Sequence, residues 1–109
     1  MTVIELAMAF AGAAPVGIVI TDARLNPPGP IILYANEAFG RLTGRSIDEI
    51  VGQSPRFMQG RQTRRPTLNA FRSARAKGER FHGYLTNYRS DGSKYLVEID
   101  CRPISRSDG

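Results

Sequence analysis

Residues 52–60 read Gly-Gln-Ser-Pro-Arg-Phe-Met-Gln-Gly, and this stretch decides how the whole chain is interpreted. It opens a region, from Gly52 to Gly78, that contains no acidic residue. The basic residues in that region are Arg56, Arg61, Arg64, Arg65, Arg72, Arg75 and Lys77. Most such runs are solvated helix faces. A phosphate-bearing ligand is the more specific interpretation, because guanidinium groups bind phosphate oxygens in bidentate pairs. Nucleic acid ranks third, since few aromatic residues interleave the charges.

The bulk composition indicates one globular domain. The chain has 109 residues, of which 41% are hydrophobic and 23% charged, with a formal net charge of +5. Its single cysteine, Cys101, excludes an internal disulfide and fits a reducing, cytoplasmic compartment. With His82 as the only histidine, no metal site of ordinary zinc composition is expected. The apolar amino end lacks the basic region of a signal peptide, and no stretch reaches the ~20 apolar residues of a membrane span. No membrane contact is therefore expected.

Periodicity and turn residues predict a lead-in helix followed by strands. Residues 1–14 carry apolar side chains at helical spacing, which predicts a helix that ends before Pro15. Runs of strand-forming residues bounded by turn residues predict strands at 17–22, 31–35, 80–89 and 93–104. Asp91 and Gly92 form a hairpin turn signal between the last two strands.

Capping patterns predict three further helices. Asn36 is the expected N-cap of a short helix that ends at Gly44. The segment 46–49, Ser-Ile-Asp-Glu, has the pattern of a capping box and predicts a second short helix. A longer helix is expected over 66–78, with a proline in its first turn and a glycine at its end.

Taken in order, these elements resemble a known family. The 52–60 stretch resembles the flavin-binding signature of the light-, oxygen- and voltage-sensing (LOV) branch of the PAS sensory domains, which runs Gly-x-Asn-Cys-Arg-Phe-Leu-Gln-Gly. Further similarity lies in the stretches GIVITD at 17–22, YANEAF at 34–39, LTG at 42–44 and NYRSDG at 87–92. The resemblance implies an α+β fold, with a five-stranded antiparallel sheet, short helices on one face and a small ligand cavity. Residues 15–109 are expected to form this domain, with four of the five strands visible.

The resemblance also implies a set of cofactor-binding residues. Arg56 and Arg72 match the two arginines that hold the flavin phosphate. Gln59 and Asn87 match amide side chains that hydrogen-bond the heteroatoms of the ring, and an amide offers both a donor and an acceptor. Thr21 matches a position in the cavity wall. Without the resemblance, ordinary surface charge explains Arg56 and Arg72, and an ordinary strand threonine explains Thr21, equally well. Gln59 would then be a surface polar group, and Asn87 a strand residue without a ligand, which fits less well on a face that also holds Leu85.

Departures from the family pattern bear on the chemistry. Pro55 stands where the family has the cysteine that forms a photochemical bond to the flavin, so the covalent reaction is expected to be absent. Ser54, Val97 and Gly17 each replace an asparagine of the family. The glutamine that senses flavin protonation would lie on the fifth strand, beyond Gly109. FMN or FAD is therefore a candidate cofactor of the full-length domain, and no bound cofactor is expected in the 109-residue chain.

These features predict a signal-transduction module. The resemblance implies a sensory input domain of a larger signalling protein, for example in a two-component system, and no enzymatic activity of its own. The expected partners are a second copy of the chain and a downstream effector such as a histidine kinase or a cyclic-dinucleotide enzyme, and not nucleic acid. Two alternatives stay open: a ligand-free PAS dimerisation module, and a PAS module that holds another small molecule, such as an acyl chain or an organic anion.

Overall fold

The computed structural model describes residues 16–104, which fold into four strands, three α-helices and one 3₁₀ turn. The strands are β1 (Val19–Thr21), β2 (Ile32–Ala35), β3 (Phe81–Tyr88) and β4 (Lys94–Cys101). Between β2 and β3 lie α1 (Glu37–Thr43), α2 (Ile47–Ile50), the 3₁₀ turn (Pro55–Met58) and α3 (Arg65–Ala76). The predicted α+β class and all four predicted strands are confirmed. The predicted lead-in helix over 1–14 lies outside the described residues.

Local hydrogen bonds set the ends of the first two helices, as the capping patterns predict. Gly44 ends α1 in the left-handed region, at φ 72°, where a side chain would be strained. At the start of α2, the Ser46 hydroxyl accepts from the Glu49 amide, and the Glu49 carboxylate accepts from the Ser46 amide at 3.2 Å. The hydrogen bonds from Ser46 hold the pKa of the Glu49 carboxyl below its usual value. The backbone is already extended at Val51, so α2 makes only one turn.

Asn36 joins the segment just before β1 to α1. It is buried, and its Oδ1 accepts from the amides of Phe39 at 3.0 Å and Ile18 at 2.9 Å. Its Nδ2 donates to the carbonyl of Val16 at 2.8 Å. One side chain therefore caps a helix and also fixes the neighbouring chain, which aligns the first sheet with the helices.

The core lies between the first sheet and the short helices. Its buried apolar residues are Ile32, Ala35, Phe39, Ile50 and Met58. The hairpin of β3 and β4 contributes Leu85, which is also buried. The turn of the hairpin docks on the end of α1, where the Ser90 hydroxyl donates to the Gly44 carbonyl at 2.7 Å.

Helix α3 covers part of the hairpin. The ring of Phe71 stacks on that of Phe81 in β3, with centroids 4.7 Å apart. No residue of α3 is fully buried, so this contact is partial.

The four strands form two separate antiparallel pairs. β1 pairs with β2 and β3 pairs with β4, and within residues 16–104 no strand connects the two pairs. A depression of about 350 Å³ lies between them, lined by Val16, Gly17, Ile18, His82, Glu98 and Asp100. In the described part of the chain, each of the four strands therefore has one edge without a strand partner, β1 and β4 among them.

Candidate ligand-binding site

Arg56 and Arg72, which are 16 positions apart in the chain, meet on the loop between β1 and β2. Arg56, on the 3₁₀ turn, donates from Nη2 to the Leu25 carbonyl at 2.9 Å and from Nε to the Gly29 carbonyl at 3.0 Å. Arg72, on α3, donates to the same Leu25 carbonyl and, through Nη2, to Asn26 Oδ1 at 2.7 Å. The structure thus brings together the two arginines that the sequence predicts as a phosphate clamp.

Arg75 is a third member of this cluster, and the sequence reasoning did not select it. It donates to the Arg24 carbonyl at 2.7 Å. Burial lowers the pKa of its guanidinium, and Arg56 and Arg72 lower it further by charge repulsion. The available signal was its spacing three residues after Arg72, which places both on neighbouring positions of one helix surface. Among residues 16–104, none of the three arginines has a carboxylate within ion-pair distance.

The loop that receives these arginines is held in place by Asp22. One carboxylate oxygen of Asp22 accepts from the amides of Ile31 at 3.0 Å and Arg24 at 3.2 Å. The other lies 3.4 Å from Nε of Arg24. The hydrogen bond from Ile31 is the main reason that the pKa of Asp22 is lowered. Asp22 therefore fixes both ends of the segment whose carbonyls face the arginine cluster.

Asn87 lies in β3, on the face of the hairpin that is turned inward. It is 7% exposed, and its side chain makes no hydrogen bond to another described residue. Directly opposite, on β4, is Tyr95. The Tyr95 hydroxyl is buried and has no hydrogen-bond partner. A buried polar group without a partner is unusual in a folded protein, and it needs an explanation.

Gln59 and Thr21 occupy less distinctive positions. Gln59 is half-buried at the end of the 3₁₀ turn. The next residue, Gly60, lies so close to β3 that a Cβ there would overlap the ring of Tyr88. Gln59 is therefore next in sequence to a close contact between the chain and the hairpin. The Thr21 hydroxyl donates to the Asp22 carbonyl at 2.9 Å and is already engaged within its own loop.

Two of the departures from the LOV pattern have local structural explanations. A Cβ on Gly17 would lie 3.1 Å from the Cα of Phe39, so a side chain at this position would require its neighbour to move. Ser54 caps the 3₁₀ turn, with its hydroxyl accepting from the Arg56 amide at 3.3 Å. Val97, by contrast, is a half-buried strand residue that can make no side-chain hydrogen bond.

The outer face of the hairpin carries a separate network of charges. Arg80 donates two hydrogen bonds to Asp100, at 2.9 and 2.8 Å, and Arg102 adds a longer pair at 3.3 Å. These bonds, first those from Arg80, hold the pKa of Asp100 well below its usual range. His82 lies 2.7 Å from Glu98 on the same face. These pairs are exposed and lie on the opposite side of the hairpin from Asn87.

Another surface depression lies elsewhere. It has a volume of about 530 Å³ and is lined by residues of α1 and α2 and the turn between them, including Arg41, Arg45 and Asp48. None of the five predicted site residues borders it or the depression between the two sheets. Among residues 16–104, no helix has the length and apolar character needed to cross a membrane.

Comparison with known proteins places the chain in a family. The PAS-domain family matches residues 15–109, and the chain therefore belongs to it. Within that family it is a LOV-like PAS domain, as its structural neighbours show. An RNA-binding LOV receptor superposes with a TM-score of 0.82 at 31% identity, covering 98% of this chain and 30% of that one. The LOV domain of a blue-light-activated histidine kinase from Erythrobacter litoralis EL346 gives 0.79 at 27% identity, covering 87% and 85%.

One curated relative contains a segment similar to this chain within a much longer protein. The bacterioopsin transcriptional activator of Halobacterium salinarum is 42% identical over 96 residues. That match covers 88% of this chain but only 14% of the activator. The chain thus corresponds to a small part of the length of this relative.

Proposed function

We propose that this chain is a sensory input domain of LOV-like type that binds a flavin nucleotide without forming a covalent bond to it. The observation that carries the proposal is the meeting of Arg56 and Arg72 on one loop, with Arg75 beside them. A bound flavin would supply light absorption or redox chemistry, and the protein would supply the binding and orientation.

The arginine cluster has the chemistry of a phosphate site. In this structure its hydrogen bonds go to neutral acceptors, namely the backbone carbonyls of the loop and the amide of Asn26. A phosphate oxygen is charged and accepts hydrogen bonds about twice as strong as those to a neutral acceptor. A phosphate monoester would therefore compete well for these donors. It would also relieve the repulsion among three cations.

The inner face of the hairpin has the chemistry of a ring site. Asn87 is buried with its carboxamide unpaired by described residues, and it lies beside apolar Leu85. A planar ring with alternating donors and acceptors at its edge would satisfy the amide and cover the apolar surface. Gln59 and Thr21 complete the proposed set, Gln59 as a second amide and Thr21 as part of the wall. The residues present therefore fit a flavin.

The test separates phosphate recognition from ring recognition. FMN and riboflavin, which lacks the phosphate, are titrated into the protein and followed by flavin fluorescence. Because three departures from the LOV pattern weaken ring contacts, at about 0.5–1.5 kcal/mol for each lost hydrogen bond, we expect no equimolar flavin to be retained on isolation. Arg56→Ala or Arg72→Ala should weaken FMN binding about 10- to 100-fold, since each removes charge-assisted hydrogen bonds of roughly 1.5–3 kcal/mol. Riboflavin affinity should hardly change.

Arg61→Ala is the matched control, because Arg61 lies in the same acid-free region and is exposed. It should bind FMN like the wild type. If Arg56→Ala and Arg72→Ala both keep full FMN affinity, the arginine cluster only holds the loop between β1 and β2 in place. The proposal that it binds phosphate then fails.

The ligand-free dimerisation module is the second candidate, and one observation favours it. All three arginines already have acceptors in the loop between β1 and β2. A module of this kind would bind neither FMN nor riboflavin. Arg72→Ala would then lower its stability, and no flavin binding would be measured in either the wild type or the variant. The same titration, combined with thermal melting, distinguishes the two functions.

The context of the domain is part of the proposal. We place it in a cytoplasmic signalling protein, where it acts on an effector and carries no enzymatic activity itself. A histidine kinase is the favoured type of effector, because one structural neighbour is the LOV domain of such a kinase. A transcriptional regulator is the next, because one relative is a transcriptional activator.

A further inference from the structure

The Tyr95 hydroxyl is the feature of the described chain that the proposed set of site residues does not explain. Within residues 16–104, it is the one buried side-chain nitrogen or oxygen atom without a hydrogen-bond partner. Phenol hydroxyls in protein interiors usually find a partner. Phenylalanine would fill the same space without an unsatisfied group, so packing alone gives no reason for a tyrosine.

The surroundings of Tyr95 leave the hydroxyl without a local partner. Its ring lies under the guanidinium of Arg89, with 4.3 Å from Cζ to the ring centroid. That contact engages the face of the ring and not its hydroxyl, and Arg89 directs Nη1 to Ser93. Tyr95 alternates with Leu96, which is 70% exposed, and so its side chain is on the inner face of β4.

A second unpaired polar group stands next to it. Asn87 is directly across the ladder from Tyr95, and opposite residues on one face of a sheet place their Cβ atoms about 4.5–5.5 Å apart. Asn87 is 7% exposed as a residue, and its side chain makes no hydrogen bond to another described residue. Two neighbouring side chains on one inner face thus both have unused hydrogen-bonding capacity, and a ligand edge would satisfy both.

We propose that the Tyr95 hydroxyl is a ligand-binding group, which together with Asn87 recognises one edge of a planar heteroaromatic ring. The inference rests on the proposed flavin function and deepens it. A carboxamide and a phenol can each donate or accept, so the pair suits a ring edge on which donors and acceptors alternate. Val97 follows Tyr95 by two positions on the same face and offers no hydrogen bond. Tyr95 therefore provides a polar contact on a strand that otherwise presents only apolar groups and Cys101 to the interior.

The test is Tyr95→Phe, which removes the hydroxyl and keeps the ring beneath Arg89. Affinities for FMN and riboflavin are measured by fluorescence titration, and the melting temperature is measured without ligand. We expect both flavins to bind about 5- to 10-fold more weakly, which corresponds to about 1–1.4 kcal/mol for one hydrogen bond. The ligand-free variant should melt at the same temperature as the wild type or higher, because an unsatisfied buried group is gone.

This combination distinguishes a binding role from a structural one. A hydroxyl that only supports the fold would lower the melting temperature when removed, and that result would overturn the proposal. So would unchanged affinity for both flavins in Tyr95→Phe. Tyr84→Phe is the matched control: Tyr84 is on the outer face of β3, 55% exposed, and should not affect binding.

The outcome also separates this inference from the function on which it rests. If the wild type binds neither flavin, the proposed function fails and the assignment of Tyr95 fails with it. If the wild type binds and Arg72→Ala weakens only FMN, while Tyr95→Phe changes nothing, the function stands and the inference alone is wrong.

Discussion

Pro55 occupies the first position of the 3₁₀ turn, where a residue without an N–H leaves no hydrogen bond unmade. The cap of this turn comes from Ser54, and the core anchor at its end is the buried Met58. The turn therefore depends on its neighbours more than on the proline ring. Another residue at position 55 is compatible with the fold.

Because position 55 accepts other residues, a thiol can be introduced there to test whether its absence explains the loss of the covalent reaction. Pro55→Cys, loaded with FMN, should lose its visible flavin absorption under blue light and recover in the dark, because the thiol would stand where the LOV signature has its reactive cysteine. The flavin-loaded wild type and Pro55→Ser, which lacks a thiol, should show no such cycle. Absorption spectra before and after illumination decide the matter. A flavin-loaded Pro55→Cys protein that does not bleach would mean that the ring is bound elsewhere or in another orientation.

Cys101 does not replace that thiol in the structure. It lies on β4, and burial raises its pKa, while the charge of Arg75 opposes the shift. A thiol with a raised pKa is protonated at neutral pH and is a weak nucleophile. Its role is that of a small, half-buried side chain in the packing of the hairpin.

Among the elements, the loop between β1 and β2 has the clearest dependence on a single carboxylate. Asp22 accepts hydrogen bonds from Ile31 and Arg24, and the loop in turn accepts hydrogen bonds from the three arginines of the cluster. The pKa of Asp22 is lowered in the folded chain, so in mild acid the carboxylate of Asp22 is protonated more readily in the unfolded chain than in the folded chain. The stabilisation is present above the ordinary pKa and is lost as the pH falls through the folded value.

Asp22→Asn should therefore flatten the pH dependence of stability. The free energy of unfolding, measured with urea, should fall more steeply in the wild type than in the variant between about pH 5 and pH 3. Asp48→Asn is the control, because among residues 16–104 the Asp48 side chain accepts no hydrogen bond and makes no ion pair. Parallel pH profiles for the wild type and Asp22→Asn would show that this carboxylate does not hold the loop.

At the scale of the whole molecule, the main feature of the architecture is the division of the strands into two separate pairs. β1 and β4 each have an edge without a strand partner among residues 16–104, and β4 also exposes Leu96 at 70%. Unpaired strand edges with apolar side chains favour pairing with another chain. The divided sheet therefore provides a surface for association.

We expect the chain to associate with a second copy at micromolar concentration, as measured by light scattering. Leu96→Lys should shift the population toward monomer, because a lysine on an edge strand opposes strand pairing. Val51→Lys introduces the same charge at a site that is 40% exposed and at the end of α2, outside the hairpin, and it should leave the association unchanged. A wild type that stays monomeric throughout this range would contradict the expectation.

Short-range features of this protein were predictable from the sequence alone. Asn36, Gly44 and the Ser46–Glu49 pair act within three or four positions of themselves, so their residue types predict helix ends directly. The Asp91-Gly92 turn and the alternation of β4 are equally local, and they predicted the hairpin. The combination of such elements in order predicted the PAS fold. The grouping of Arg56 with Arg72 came from the resemblance.

Long-range features were decided only by the tertiary structure. Arg72 reaches Asn26 across 46 positions, and Arg75 reaches Arg24 across 51, which no periodicity in the sequence encodes. The alternation of β4 assigns Tyr95 to the inner face, but whether its hydroxyl finds a partner depends on the side chains that surround it. The division of the sheet likewise depends on which strand edges meet in space. The physical reason is the same in each case: a hydrogen bond within a turn needs only the local backbone, whereas a bond between elements needs the packing that brings them together.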